Sequence, residues 1–290
     1  MDNRERAILK TLLYSDFFDY PLKEEEIFKY LITDKKIDKI QVHKVLKQFK
    51  IAVESNKNFY FLSGRKSLVK KRINREKISL QKFKKAKKII KILSLIPTIR
   101  LIGISGTLSM RNSEKHDDID IFVITQENFV WTTRFLLIIF LVLLGVYRTR
   151  NSKNYSDKIC LNMMLDEGSM KLEKNLYIAH EISQLVPVFE KDNTYKKFLL
   201  ENKWIENFMI NALNDKKIYL KKKSNTMDFI LNWLFDFFAF EKIAKYLQLI
   251  YMKKHITSEI VKPGVLRLHP FDYKSYILQS FNKKINELGL

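Results

Sequence analysis

The sequence predicts an α+β protein with about two structural units. Its length of 290 residues agrees with this number, because domains usually contain roughly 100 to 200 residues. Helical patterns lie near both ends of the chain, and two short apolar runs between them, 99–102 and 118–125, are typical of buried strands. Hydrophobic residues make up 46% of the chain and charged residues 29%, so the composition can bury a core and excludes a disordered protein.

The first 64 residues contain a series of short predicted elements. Patterns typical of helices cover 4–14, 21–31 and 39–49, and patterns typical of strands cover 51–55 and 59–63. Three helices followed by a β-hairpin is the order of a winged helix, so 1–64 is predicted to be a winged-helix-like domain. Its third helix carries Lys39, Lys44 and Lys47. These lysines either bind a DNA groove or form a solvated face on a domain that mediates protein contacts. The second alternative stays open because this helix has no Arg to bind a guanine edge.

The positive charge of the chain is concentrated in one segment. Lys and Arg total 53 against 32 Asp and Glu, a net charge of +21. The range 65–91 holds thirteen Lys or Arg and one acid, a net +12, which leaves +9 for all other residues. Apolar residues recur there at nearly helical spacing, so 65–95 is predicted to be a basic connecting helix. Its cationic face would bind phosphate groups of RNA, DNA or a membrane surface, or it is a linker helix in a lysine-rich protein.

The most hydrophobic stretch, 135–146, is predicted to be a core helix. Its twelve residues are fewer than the roughly 17 to 25 that a bilayer-spanning helix needs. Helical patterns at 227–254 and 271–288 place a helical region at 191–290. The single cysteine excludes a disulfide framework and a multi-cysteine zinc site. The first ten residues carry five charges and no apolar core of a signal peptide, so a cytoplasmic location is expected.

A short turn near residue 105 has the composition of an anion-binding site. Gly103 and Gly106, two of the seven glycines in the chain, follow the predicted strand at 99–102. Thr107 comes next, where a helix can begin. Glycine lets the backbone approach a ligand closely, and amides at a helix N-terminus bind anions. The turn is therefore a candidate phosphate site.

With ten residues intervening after Thr107, two acids open the apolar strand at 118–125. Because strand side chains alternate between faces, Asp118 and Asp120 project from the same side of the sheet. Two carboxylates at this spacing can share divalent metal ions, which activate an attacking oxygen and hold a triphosphate. Oxygen ligands together with phosphate favour Mg²⁺.

The turn and the two acids together resemble the nucleotidyltransferase superfamily that includes DNA polymerase beta, whose signature is a Gly-Gly or Gly-Ser turn followed by Asp-x-Asp. The rest of the chain resembles microbial nucleotidyltransferase-domain proteins with a winged-helix-like N-terminus. That likeness is carried by 17–27, 130–137, 158–165, 176–189, 201–204 and 247–255. The resemblance implies a polymerase-beta-like domain with a mixed sheet at 96–190. It further implies nucleoside triphosphate binding by Ser105, Gly106 and Thr107, Mg²⁺ binding by Asp118 and Asp120, and transfer of a nucleoside monophosphate with release of pyrophosphate.

The chain departs from this family at two positions. Thr107 stands where serine is usual, and Asn162, in the strand pattern 159–164, stands where a third carboxylate is usual. An amide can position a nucleophile but cannot accept its proton. The base is then Asp157, His116 or Glu181, or activation by the metal suffices. A catalytically silent regulator that binds nucleotide or nucleic acid is the alternative function, and peripheral membrane attachment through the basic helix and the aromatic segment near 229–240 is a third.

Two further groups of residues have competing interpretations. His180-Glu181 begins like a zinc-protease motif, but Gln184 occupies the position of the second histidine, so His180 is predicted to be a packing residue. Arg134, Arg148 and Arg150 follow the predicted Asp-x-Asp strand. Each of these arginines either contacts a phosphate or has a structural or surface role.

Overall fold

The computed structural model of the chain describes residues 1–49, 52–149, 154–213, 218–237, 239–253, 258–268 and 272–290. These residues form a three-stranded sheet near the N-terminus and a mixed seven-stranded sheet in the centre, each covered by helices. The predicted α+β class is therefore confirmed.

The N-terminal unit packs three helices against the small sheet. Its helices are α1 (Asn3–Asp16), α2 (Glu24–Lys29) and α3 (Lys39–Gln48), and its strands are β1 (Leu22–Lys23), β2 (Val53–Asn56) and β3 (Phe59–Leu62). The strand order is β1-β3-β2, and both pairings are antiparallel. The helix predicted at 21–31 is shorter than expected, because Leu22 and Lys23 pair with β3 and α2 begins only afterwards. Ile8, Ile27 and Val42 lie in the buried core of this unit.

A single long helix, α4 (Leu68–Leu93), connects the two sheets. Its apolar side is buried and includes Ala86, Ile90 and Leu93. Arg72 and Lys82 are also buried, although the sequence pattern assigned the basic residues to an outer cationic face. Their charges are matched by acidic partners, as buried charges require.

The central sheet has the strand order β8-β7-β4-β5-β6-β10-β9. Its strands are β4 (Ile99–Ile104), β5 (Ile119–Thr125), β6 (Ile159–Asp166), β7 (Val186–Lys191), β8 (Leu220–Lys222), β9 (Ile260–Lys262) and β10 (Val265–Arg267). The β5–β6 and β7–β8 pairs are parallel, and the other pairs are antiparallel. The middle strands are almost continuously apolar because both faces of the sheet are covered.

Helices cover the two faces of this sheet, and the sheet separates two hydrophobic cores. They are α5 (Gly106–Ser109), α6 (Val130–Leu143), α7 (Leu176–Gln184), α8 (Thr194–Glu201), α9 (Thr226–Phe237), α10 (Phe240–Lys253) and α11 (Tyr273–Glu287), and two short 3-10 helices occupy Glu167–Ser169 and Lys203–Asn207. Residues of α4, α6 and α10 share one core with Ile102 and Ile121, whereas α7 and α8 share the other with Phe122 and Ile124. None of the helices in the described ranges combines the length and apolar composition that crossing a membrane requires.

Two parts of the C-terminal region differ from the sequence pattern. The helix predicted at 227–254 is divided into α9 and α10. Ala239, which lies between them, has a left-handed φ of 47°. The region 191–290 also contributes β8, β9 and β10 to the central sheet, besides its helices. The sheet thus extends beyond the range assigned to the central domain.

Candidate functional site

The turn between β4 and β5 is closed against the start of β5. The Ser105 amide donates a hydrogen bond to the Asp120 carbonyl oxygen at 3.0 Å. Gly106 has a φ of +60°, and a Cβ atom there would lie 2.5 Å from Asp120 Oδ2. Glycine is therefore required at this position both by the backbone conformation and by the space that the carboxylate occupies.

Asp118 and Asp120 lie together on the side of the sheet that α7 covers. Asp120 is in β5, and Asp118 directly precedes this strand. The strand begins at Ile119, one residue later than predicted. Together with Cys160 of β6 they form a cluster in which one ligand atom of each residue lies within 4.8 Å of the others. Cys160 enters the cluster because it pairs with Asp120 in the parallel β5–β6 register. Arg148 Nη1 contacts Asp118 Oδ2 at 2.6 Å.

Burial and neighbouring negative charges raise the pKa values of two groups in this cluster. Burial and the neighbouring Asp118 charge raise the pKa of Asp120 to about 7, against the opposing effects of Cys160 and Arg148. Burial also raises the pKa of the Cys160 thiol, and the charges of Asp120 and Asp118 add to this effect. A divalent cation would relieve this repulsion, since an opposite charge favours ionised carboxylates.

Asn162 holds the turn from the neighbouring strand. Its Nδ2 atom donates to Ser105 Oγ at 3.1 Å, and its side chain is buried. The β5–β6 register shifts between Ile121, which pairs with Leu161, and Phe122, which pairs with Met163, so Asn162 lies at an irregularity of the strand. Asn162 Oδ1 is buried and has no hydrogen-bond partner among the described residues. The position expected to carry a third carboxylate therefore supports the turn and leaves one acceptor atom available.

The three candidate bases have different environments. Glu181 of α7 is half-buried, and burial raises its pKa to about 7 while Arg267 opposes the shift. Asp157 pairs with Lys82 at 3.1 Å and with Lys85, and these ion pairs leave its pKa lowered even though partial burial acts in the other direction. His116 is exposed. A pKa near 7 suits a base at neutral pH, and Glu181 has one.

Glu181 also lies close to the cluster. Its charge raises the pKa of Asp120, and it lines a pocket of about 110 Å³ together with Asn162, Tyr177 and Arg267. The pocket thus joins Asn162, which supports the turn, to Glu181 of α7. Arg267 comes from β10, so the C-terminal part of the chain helps to build the site.

The hydroxyl of Thr107 is linked to the loop that precedes β5. Thr107 Oγ1 donates to Asp117 Oδ2 at 3.3 Å, and the same oxygen accepts from the Glu114 amide at 2.8 Å. The Ser79 hydroxyl and the Lys82 amino group of α4 bind this loop from the other side. Asp117 and the α4 residues carried no sequence motif, because their roles depend on contacts between distant segments.

The other residues selected from the sequence lie in different places. Arg148 is at the cluster, whereas Arg134 is buried in α6 and donates a hydrogen bond to Gln248 of α10, so its role is structural. Arg150 lies outside the described residues. His180 stacks on Tyr14 with ring centroids 4.0 Å apart, and burial lowers its pKa to about 3, in agreement with a packing role.

The donor set of the cluster fits a hard divalent cation such as Mg²⁺. The two carboxylates Asp118 and Asp120 supply the charged oxygens. Burial and the Asp118 charge both raise the pKa of Asp120, and a cation would favour its ionised form. The Cys160 thiol is outside the ligand type that Mg²⁺ prefers.

Comparison with protein-family models, with curated proteins and with solved structures gives no match to this chain. The functional argument therefore depends on the site itself.

Proposed function

We propose that this protein is a Mg²⁺-dependent nucleotidyltransferase, which transfers a nucleoside monophosphate from a nucleoside triphosphate to an acceptor nucleophile. The observation that carries the proposal is the closure of the Gly106 turn on the carboxylate of Asp120, beside Asp118. This arrangement offers backbone amides for a triphosphate next to a pair of carboxylates for the ion. A cytoplasmic location, where nucleoside triphosphates are abundant, is part of the proposal.

The fold supports the same proposal. The order β4, turn, α5, β5, followed by a parallel β6, is the order of a polymerase-beta-like domain at 96–190. The three-stranded sheet with three helices supports a winged-helix-like unit at 1–64, and α4 is the connecting helix at 65–95. These domain assignments belong to the proposal.

In this proposal each residue of the site has a defined role. Ser105, Gly106 and Thr107 bind the triphosphate, and Asp118 and Asp120 hold Mg²⁺, which supplies charge neutralisation at the phosphates. Asn162 orients the turn through Ser105.

The transfer itself requires a base. The acceptor oxygen forms a bond to the α-phosphorus, and the bond from this phosphorus to the oxygen bridging to the β-phosphate breaks. Pyrophosphate leaves with that electron pair, and the proton of the acceptor passes to Glu181. The environment of Glu181 suits this role, because its pKa of about 7 allows it to be ionised near neutral pH and still accept a proton.

The first experiment measures transfer of label from each α-labelled nucleoside triphosphate, with Mg²⁺, into RNA, protein and small-molecule fractions of a lysate. Asp118→Ala and Asp120→Ala should each lower transfer at least roughly a hundredfold, a loss typical when a charge-stabilising group is removed. Asp34→Ala, at an exposed position of the N-terminal unit, is the control and should leave transfer unchanged. Wild-type transfer in either of the two site variants would refute the assignment.

A second candidate function is a catalytically silent regulator that binds nucleotide or nucleic acid. Two observations favour it: Asn162 replaces a carboxylate, and α4 exposes a row of lysines. These are Lys70, Lys77, Lys84, Lys88 and Lys91, which lie on one side of the helix and form no ion pair with a described residue. Salt-sensitive binding of duplex nucleic acid without Mg²⁺-dependent turnover would select this function.

A further inference from the structure

Helix α10 carries two apolar stripes. The inner side, with Ala244, Gln248 and Met252, is buried, and the Gln248 amide donates to the Trp131 carbonyl oxygen of α6 at 2.9 Å. The outer side consists of apolar and aromatic residues that are between 48 and 69% exposed: Ile243, Tyr246, Leu247, Ile250 and Tyr251. They recur at intervals of three and four residues, the spacing of a helix face made for contact. A helix at the surface of a globular protein normally has a single apolar face.

The neighbouring helices also expose apolar residues. At the end of α6, Val142 and Leu143 are exposed, Leu143 by 79%. On α9, Phe229 and Trp233 are exposed by 73 and 56%. Both helices contact α10. We call the exposed apolar residues of α10, together with these four residues, the outer apolar surface. Apolar surfaces of this kind on a folded protein usually mark an interaction site.

The exposed charges of α10 beside the outer apolar surface are positive. Lys242, Lys245 and Lys253 of α10 are exposed. By contrast, two acids of these helices are engaged inward. Asp228 pairs with Lys191 at 3.0 Å, and Glu241 accepts hydrogen bonds from the backbone amides at the start of α6. The exposed side of α10 therefore combines apolar and aromatic residues with lysines and no acid.

This combination selects among the partners that an apolar surface can bind. A second copy of the chain would bring the lysines of α10 against each other, and like charges oppose such contact. A nucleic acid would pair with the lysines but leave the apolar residues in water. An anionic lipid surface accepts both, because apolar and aromatic side chains enter the boundary of the acyl chains while lysines contact the headgroups.

We propose that the outer apolar surface docks the protein onto an anionic lipid surface, with α10 lying in the plane of the interface. Docking of this kind needs no membrane-spanning helix. It is independent of the proposed nucleotidyl transfer, which can be measured with soluble components. The overall positive charge of +21 would add attraction toward anionic lipids.

The test is co-sedimentation of the full chain with vesicles. One set is neutral phosphatidylcholine, and in the other roughly a third of the lipid is anionic phosphatidylglycerol. The protein should sediment with the anionic vesicles, and binding should weaken as salt is raised. Trp131 and Trp204 are buried and Trp233 is exposed, so the vesicles should also shift tryptophan emission to shorter wavelength, and Trp233→Phe should remove this shift.

Variants separate the outer apolar surface from other sources of binding. Leu247→Glu and Ile243→Glu should each weaken vesicle binding at least roughly tenfold, because they place an acid against anionic headgroups. The control is Leu200→Glu on α8, whose Leu200 is 63% exposed but belongs to the helix on the opposite face of the central sheet. This control should bind vesicles like the wild type.

Several outcomes would overturn the proposal. Absence of binding to anionic vesicles would do so, as would undiminished binding by both α10 variants. Loss of binding only in Lys84→Glu/Lys88→Glu would assign the interaction to α4 instead. A dimer in solution that Leu247→Glu disrupts, without vesicle binding by the wild type, would assign the surface to a second copy of the chain.

Discussion

At the scale of single residues, Gly106 connects backbone conformation to the chemistry of the site. Gly106→Ala should lower the free energy of unfolding by about 2 kcal/mol, because it combines strain at positive φ with a Cβ that meets the Asp120 carboxylate. Urea unfolding measures this change. Gly64 is the matched control, since its φ is +82° but no atom lies within 4 Å of a Cβ placed there. Gly64→Ala should lose about 1 kcal/mol and keep full triphosphate binding. Equal effects of the two substitutions would contradict the close approach of Gly106 to Asp120.

The pair of acids leads to a prediction about metal binding. Mg²⁺ should raise the melting temperature of the wild type, because an ion that binds only the folded chain stabilises it. Asp120→Asn removes one of the two charges and should abolish this rise. Differential scanning fluorimetry with Mg²⁺ and with EDTA measures the effect, with Asp34→Asn as control. A rise of equal size in the Asp120 variant would show that the ion binds elsewhere.

Glu181 determines the expected pH dependence of transfer. Its pKa is raised to about 7, so the carboxylate that accepts a proton is depleted below that pH, and the rate should rise with pH until about 7. Glu181→Gln should lower the rate by roughly 10²- to 10⁴-fold and remove this rise. Transfer rates measured across neutral pH test the prediction. An unchanged pH profile in Glu181→Gln would exclude Glu181 as the base.

At the scale of elements, α4 depends on a buried arginine. Arg72 donates to Glu26 Oε1 at 2.9 Å and to the Tyr20 hydroxyl at 2.8 Å, and its guanidinium lies over the Tyr20 ring. Arg72→Ala should lower the free energy of unfolding by about 3 kcal/mol, because it leaves the partly buried carboxylate of Glu26 without its ion-pair partner. Lys70→Ala, at an exposed position of the same helix, should change it by less than about 0.5 kcal/mol. Similar urea-unfolding curves for the two variants would contradict this role of Arg72.

The elements also show what the sequence could and could not predict. Long segments with clear periodicity, such as α4 and α11, were predicted within a few residues of their bounds, whereas α6 begins five residues before the stretch predicted at 135–146. The strands β8, β9 and β10 have three residues each, too few for a period to be recognised. The division of 227–254 was missed because the left-handed residue described between the two helices is Ala239, and no Gly or Pro marks the break in the sequence.

The candidate site was predictable to a similar extent. Asp118, Asp120 and Gly106 are close in sequence, so local spacing was enough to bring them together. Cys160 and Arg267 enter through strand pairing between distant segments, which no local pattern contains. The position of Asn162 was anticipated, but its bond to Ser105 depends on the irregular register of β6.

At the scale of the whole molecule, the row of exposed lysines on α4 predicts binding to nucleic acid backbones. Lys70 and Lys91 are separated by a helix length of roughly 30 Å, which is comparable to one turn of a DNA duplex. Lys77→Glu/Lys84→Glu/Lys88→Glu should weaken duplex binding equally for unrelated sequences. The slope of log affinity against log salt concentration should become less steep by about 0.9 per lost phosphate contact. Fluorescence anisotropy at several salt concentrations measures both. Exposed Lys171 provides the control Lys171→Glu, and equal losses in both variants would indicate a general charge effect.

The contacts of α4 have a consequence for how the chain can be divided. Its first turns hold the N-terminal unit through Arg72, and its next turns hold the loop before Asp118 through Ser79 and Lys82. The polypeptide that links the two halves is thus also the scaffold of the loop that carries an acid of the candidate site. A recombinant fragment that starts at residue 96 would lack this scaffold, so the half that contains the candidate site should not be obtainable as an autonomous folding unit.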